Sequence, residues 1–98
     1  MSLTVVFQPD AVEDLHDAFH WYEERRKGLG SEFVQAVDAC ISSIIKHPEA
    51  YPIVYKNFRR ALIRKFPYSI FYVIEKDTIM VFACFHFSRH PKHWQNRK

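Results

Sequence analysis

Glycine is nearly missing from this chain of 98 residues, with Gly28 and Gly30 the only two. Loops that wrap phosphate in backbone amides need several closely spaced glycines, so a nucleotide-cradling loop is excluded. Cysteine is equally sparse: Cys40 and Cys84 both sit in apolar runs and neither has a CxxC neighbour. That argues against a thiol metal or redox site and for reduced core thiols. No apolar run approaches the ~18 residues of a membrane span. No signal-peptide pattern opens the chain, and no weight attaches to Met1-Ser2-Leu3. A cytoplasmic location and no membrane partner are the expectation. Nothing in the sequence asks for a cofactor.

Acids are missing from one half. Residues 1–55 carry four Lys and Arg against nine Asp and Glu, whereas residues 56–98 carry ten against only Glu75 and Asp77. The formal net charge of +3 therefore hides −5 on the first part and +8 on the second. A basic half suits a polyanion or an acidic protein partner, although a solvated surface has the same composition.

What remains is a globular composition, 48% hydrophobic and 26% charged, long enough for one core and one domain over residues 1–98. Leu3 to Phe7 is short and β-branched, a first strand that Pro9 stops. Asp10 stands at an N-cap position with Glu13 three residues on. Val12, Leu15, Ala18, Phe19 and Tyr22 then recur at helical spacing. Acids crowd the start of this helix and Arg25-Arg26-Lys27 its end, matching the helix dipole, with Gly28 as the stop. Gly28 to Ser31 reads as a turn into a second helix bearing Phe33, Val37, Cys40, Ile41, Ile44 and Ile45 on one face, ending before Pro48.

Strands follow. Pro52 to Tyr55 is a brief extended piece, Arg59 to Phe66 mixes cations with apolar residues, and Tyr68 to Glu75 is aromatic and β-branched. Lys76-Asp77 centres a tight turn, and Thr78 to Phe87 suits a strand covered on both faces. The tail from Ser88 is polar and basic, with Pro91 barring a helix through its middle. The order β-α-α-β-β-β predicts an α+β, two-layer domain, a helical hairpin packed on one face of an antiparallel sheet whose other face meets solvent.

Four groups of residues offer chemistry. His16 and His20 share a helical face at i and i+4, as in zinc helices, yet a third ligand is missing and a polar flank explains them. His86, His90 and His93 straddle a strand end and Pro91, so no regular element converges them on a metal. Their neighbours Arg89, Lys92 and Trp94 are more suggestive. Imidazole moves protons near neutral pH, Arg holds phosphate in two bonds, and Trp stacks on bases or plugs a core. Finally, Arg60 and Arg64 at even strand spacing point to one face, as an anion clamp or as cations guarding an edge; Arg59 and Lys65 point to the other.

Several segments together resemble the RelE/ParE superfamily of type II toxin–antitoxin toxins, and most its ParE-like, plasmid-stabilisation branch. They are Ala11 to Leu15 running on to Trp21-Tyr22, Gly28-Leu29-Gly30 leading to Phe33, Arg60-Ala61-Leu62 leading to Phe66 to Tyr72, and Phe85 to Trp94. The resemblance spans nearly the whole chain. It implies a growth-inhibiting protein neutralised by a cognate antitoxin, acting on DNA gyrase by binding, and a possible dimer or heterotetramer with that antitoxin. It implies target contacts at Arg60, Arg64, Lys65, Arg89, His90, Lys92 and Trp94. The alternative it carries is a metal-independent, ribosome-dependent mRNA endoribonuclease of RelE type, with Arg64, His86 and Arg89 as catalytic residues. The chain has no tyrosine after Tyr72, which departs from the nuclease pattern.

Overall fold

The computed structural model describes residues 3–97; Met1, Ser2 and Lys98 lie outside the described residues. The chain runs β1 (Thr4–Phe7), α1 (Pro9–Arg25), α2 (Leu29–Lys46), β2 (Ile53–Tyr55), β3 (Phe58–Leu62), β4 (Tyr68–Glu75), β5 (Thr78–His86) and α3 (Lys92–Gln95). The expected helical hairpin on a sheet is present, with the brief piece before Tyr55 joining as a fifth strand. The strand order is β1-β5-β4-β3-β2. All pairs are antiparallel except β1 with β5, so the sheet is mixed rather than uniformly antiparallel. The two helices between β1 and the later strands supply the long crossover that a parallel pair requires.

Local chemistry corrects the expected helix boundaries. Pro9 is the first residue of α1, where its missing N–H costs nothing, and Gln8 holds the N-cap position rather than Asp10. The buried stripe of α1 is Ala11, Ala18 and Tyr22, with Leu15 packed beside it, while Val12 is exposed. Helix α2 begins at Leu29, inside the stretch read as a turn. Gly28 takes the left-handed conformation at φ 90°, and Gly30 lies where a Cβ would meet Phe19 Cδ1 and the Phe19 carbonyl oxygen at 2.8 Å. Glu23 of α1 accepts hydrogen bonds from both glycine amides, each at 3.0 Å, and so caps α2 from its neighbour.

The helices bury one face of the sheet. Phe33, Val37, Cys40 and Ile44 of α2 and the α1 stripe pack on Ile70, Tyr72, Ile79, Val81 and Cys84. The opposite face does not meet solvent as expected. Phe58, Phe71, Val73, Phe82, Ala83 and Phe85 form a second cluster there, closed by Trp94 of α3. No helix runs through Pro91; it is the N-cap of that single turn, which begins at Lys92.

A register shift between Phe71 and Tyr72 inserts an extra residue into β5, because Phe71 pairs with Ala83 and Tyr72 with Val81. This bulge sends both Phe82 and Ala83 to the α3 face and returns Cys84 to the helix face. Cys84 and His86 are thereby turned toward α1, while Phe85 stays in the α3 cluster.

Candidate functional site

Two hollows meet where β5 ends and β4 begins. The first, about 470 Å³, opens on the helix side and is lined by Asp14, Asp17, Ala18, Trp21 and Tyr22 of α1 facing Pro67, Tyr68, Cys84, His86 and Arg89. The second, about 310 Å³, opens on the α3 side; Arg60, Ser69, Phe71 and Phe85 contribute to its wall, and His86 and Arg89 line it too. His86 and Arg89 thus stand on the ridge between the two.

Each ridge residue is held. His86 stacks edge-on against Tyr68, with ring centroids 5.2 Å apart. Its Nδ1 accepts the Ser88 amide at 2.9 Å, which leaves the imidazole proton on Nε2. In that state the ring offers a hydrogen bond outward through Nε2 and has no free lone pair to remove a proton. The Arg89 guanidinium lies over the Phe85 ring at 4.5 Å. His90 Nδ1 likewise accepts the Lys92 amide at 3.2 Å. Burial raises the pKa of the Tyr68 hydroxyl, with nearby Tyr22 and Cys84 adding and Arg89 opposing.

A clasp anchors the end of the tail. Arg97 donates to Asp14 in two bonds, Nη1 to Oδ2 at 2.6 Å and Nη2 to Oδ1 at 3.2 Å. Arg97 Nη1 also donates to the Phe82 carbonyl at 3.0 Å, and the Cys84 amide donates to Asp14 Oδ2 at 3.0 Å. Strand β1 stops at Phe7, opposite Val81, so from Phe82 onward β5 has β4 on one side and, among the described residues, no strand on the other. The Asp14 carboxylate and the Arg97 guanidinium serve there as acceptor and donor in place of a strand. Sequence reasoning missed both residues. Asp14 sits among the acids that open α1 and Arg97 one residue from the chain end, and neither carries a local signal of the other.

The expected basic residues separate into three places. Arg60 reaches the α3-side hollow with Arg89 and His86. Arg64 and Lys65 are not on β3 at all, because the strand ends at Leu62 and Lys65 turns the chain at φ 70°. Arg64 instead lines a hollow against α2, with Cys40, Ser43 and Tyr51. The Arg60–Arg64 clamp is therefore not formed, and Arg64 shares no hollow with His86 or Arg89. His90 and Lys92 are exposed at the start of the tail. Trp94 is only 5% exposed and stacks on Phe71 at 4.0 Å, so it is the core plug and its face is not offered to a base. Arg59 donates to the carbonyls of Glu49 and Tyr51 at 3.0 and 2.7 Å, which ties down the loop before β2.

The remaining sequence candidates are surface or core groups. His16 and His20 lie on the exposed flank of α1. Among the described residues, no group of three or more His, Cys, Asp and Glu is placed to hold a metal ion. Cys40 and Cys84 are buried free thiols; burial pushes Cys40 up to about 11 and Cys84 upward as well, so neither is a ready nucleophile. No helix of the described chain is long and apolar enough to cross a membrane.

Residues 5–91 match a family model described as the ParE toxin of the type II toxin–antitoxin system parDE. No curated protein sequence matches the chain. Among solved structures, a chain of the chromosomal ParDE toxin–antitoxin system from P. aeruginosa superposes with a TM-score of 0.77 at 12% identity, covering 87% of this chain and 96% of that one. A chain of the YoeB dimer from Staphylococcus aureus superposes with a TM-score of 0.61 at 17% identity, covering 88% and 99%. At these identities the two neighbours speak for the fold.

Proposed function

The chain belongs to the family of ParE toxins of type II toxin–antitoxin systems, and we propose that it inhibits growth by binding DNA gyrase, held in check by a cognate antitoxin. The observation that carries binding over catalysis is the state of His86. With Nδ1 committed to the Ser88 amide, the ridge between the hollows has cations to grip a partner but no free imidazole lone pair to act as a base. Arg60 and Arg89 around the α3-side hollow, with exposed His90 and Lys92 beyond, supply a cationic target surface. Purified chain added to gyrase and DNA is expected to accumulate cleaved-DNA complexes. Normal supercoiling at a large excess of the chain would end this reading.

One observation favours a second reading. Arg60 and Arg89 face one hollow, as a site that neutralises a phosphodiester would require, and the His86 Nε2–H beside them can donate a hydrogen bond to it. A ribosome-dependent endoribonuclease would use those three, Arg64 lying apart from them against α2. It predicts cut message in a translation extract and a loss on the order of 10²-fold in rate for His86→Ala. Intact message after addition of the chain rules it out.

A further inference from the structure

The two ends of the sheet differ in charge. At one end the turn between α1 and α2, the loop between β3 and β4 and the chain leaving β5 are packed together. The Phe66 ring sits edge-on to Tyr22 of α1 at 5.0 Å and to Phe33 of α2 at 5.2 Å. The Phe87 amide donates to the Pro67 carbonyl at 2.9 Å. The helix turn brings Arg25, Arg26 and Lys27 to this end, the loop brings Arg64 and Lys65, and the chain after β5 brings Arg89, all of them exposed. At the opposite end Lys76 is flanked by Glu75 and Asp77, and charge is balanced.

The acids of the cationic end are largely committed. Glu23 holds the Gly28 and Gly30 amides, and Glu32 pairs with Arg26 at 2.9 Å, which leaves Glu24. Among the described residues, Lys27, Arg64 and Lys65 make no side-chain hydrogen bond or ion pair, and Arg25 and Arg89 touch only the rings of Trp21 and Phe85. Lys65 even holds a left-handed backbone at φ 70°, which Gly or Asn would adopt at less cost, and so keeps a cation at the tip of its loop.

Spacing decides what such an end can grip. Arg64 follows β3 and Arg89 follows β5, with β4 between the two strands, a separation of about 10 Å. A single phosphate or carboxylate cannot meet both. Duplex DNA carries one charge per ~1.7 Å of axis, roughly six over the same length. An acidic protein would need an uncovered apolar centre to dock on. Here Phe66 is packed between Tyr22 and Phe33, one face of Trp21 lies under Arg25 at 3.9 Å, and Phe87 opens on the α3-side hollow.

We propose that this end binds the phosphate backbone of duplex DNA without regard to sequence, through Lys27, Arg64, Lys65 and Arg89. The choice of DNA over RNA rests on the gyrase reading, in which the chain accumulates cleaved-DNA complexes. The cationic end gives the chain its own hold on the DNA in such a complex.

Three lysines form a matched set for the test. Lys56, Lys65 and Lys76 are all exposed and all left-handed, at φ 50°, 70° and 55°, so Lys→Glu makes the same change of charge and the same backbone demand at each. Only their place differs. The eight residues of β4, about 27 Å of strand, separate Lys65 from Lys76, well beyond the ~10 Å screening length at 0.1 M salt. Fluorescence anisotropy would follow purified chain binding to a labelled duplex of arbitrary sequence. Lys65→Glu is expected to weaken binding about fivefold or more, and Lys56→Glu and Lys76→Glu less than about twofold. The slope of log affinity against log salt should be about −4 for the wild type and about one unit shallower in Lys65→Glu. Thermal melts that match the wild type confirm that each variant is folded. Equal losses at all three lysines, no binding by the wild type, or tighter binding to RNA than to DNA overturns the proposal. A chain that poisons gyrase yet binds no DNA loses this surface and keeps the gyrase reading. A chain that binds DNA through Lys65 while supercoiling stays normal keeps this surface and ends that reading.

Discussion

The two faces of the sheet are covered by very different amounts of chain. On one, helices of 17 and 18 residues spread a broad, largely aliphatic core over the strands. On the other, a helix of four residues does the same task, and it does so with rings: Phe58, Phe71, Phe82 and Phe85 gathered under Trp94. Trp94 touches Tyr55, Phe58 and Phe71 at centroid distances between 4.0 and 5.9 Å. Aromatic side chains bury ~150–250 Å² each, so a thin layer suffices when it is aromatic. The thin cover leaves part of the cationic face open, whereas the thick one leaves a cleft at its end and the hollow beside α2. Binding surface is found where the covering runs out.

Removing the plug tests that difference most severely. Trp94→Ala should cost about 3–5 kcal/mol, the range for emptying a well-packed aromatic site. Urea denaturation would measure it. A loss below about 1 kcal/mol would mean that the α3 layer is decoration and the sheet stands on its helices alone. Trp94→Phe keeps a ring over Phe71 and is expected to recover much of the loss.

The clasp comes next. Asp14 and Arg97 bridge the two layers, since one belongs to α1 and the other follows α3. Their side chains are only 12% and 17% exposed, so breaking the pair strands a charge in a poorly solvated place. Arg97→Ala should therefore cost about 2–3 kcal/mol and raise hydrogen exchange at the Cys84 amide. Asp14→Asn keeps an acceptor for Cys84 and loses only the charge, so its cost should be the smaller of the two. Equal effects from both variants would show that the Arg97 bond to the Phe82 carbonyl, lost only in Arg97→Ala, contributes nothing.

The contrast between the faces also explains what the sequence could and could not disclose. Helical periodicity and turn residues were enough for the hairpin and for the Lys76-Asp77 turn, because those signals are local. The apolar run from Thr78 to Phe87 marked β5 but hid its bulge. Alternation alone would put Val81, Ala83 and Phe85 on one face, whereas Val81 joins the helix core and Ala83 the α3 cluster. A strand buried on both sides has no polar residue to betray a change of parity. The same loss of signal affected Arg64, whose even spacing from Arg60 matters only while the strand continues. The Asp14–Arg97 pair spans 83 residues and leaves no periodic trace. The cationic ridge was visible as composition, and its division between two hollows was not.

Alkali offers the mildest way to separate the faces, because the groups it attacks lie on one of them. Cys40, Cys84, Tyr22 and Tyr72 all belong to the helix-side core, and burial raises the pKa of each, Cys40 to about 11 and Tyr72 to about 12. In the unfolded chain the Cys40 thiol ionises near its ordinary value of 9.0. Between about 9 and 11 the unfolded state therefore sheds a proton that the folded state keeps, and folding stability falls as pH rises. Below that window both states are protonated and the contribution is complete. Urea midpoints should hold steady from pH 7 to about 8.5, then drop toward pH 10.5, and Cys40→Ala should make the drop shallower. A slope identical in that variant would place the alkaline sensitivity elsewhere. Trp94 fluorescence below the unfolding midpoint should not follow the thiol titration, since its ring contacts, Tyr55, Phe58 and Phe71, include none of those four groups. A Trp94 signal that moves with the thiol titration would mean that the two layers yield together and that the thin one has no independence.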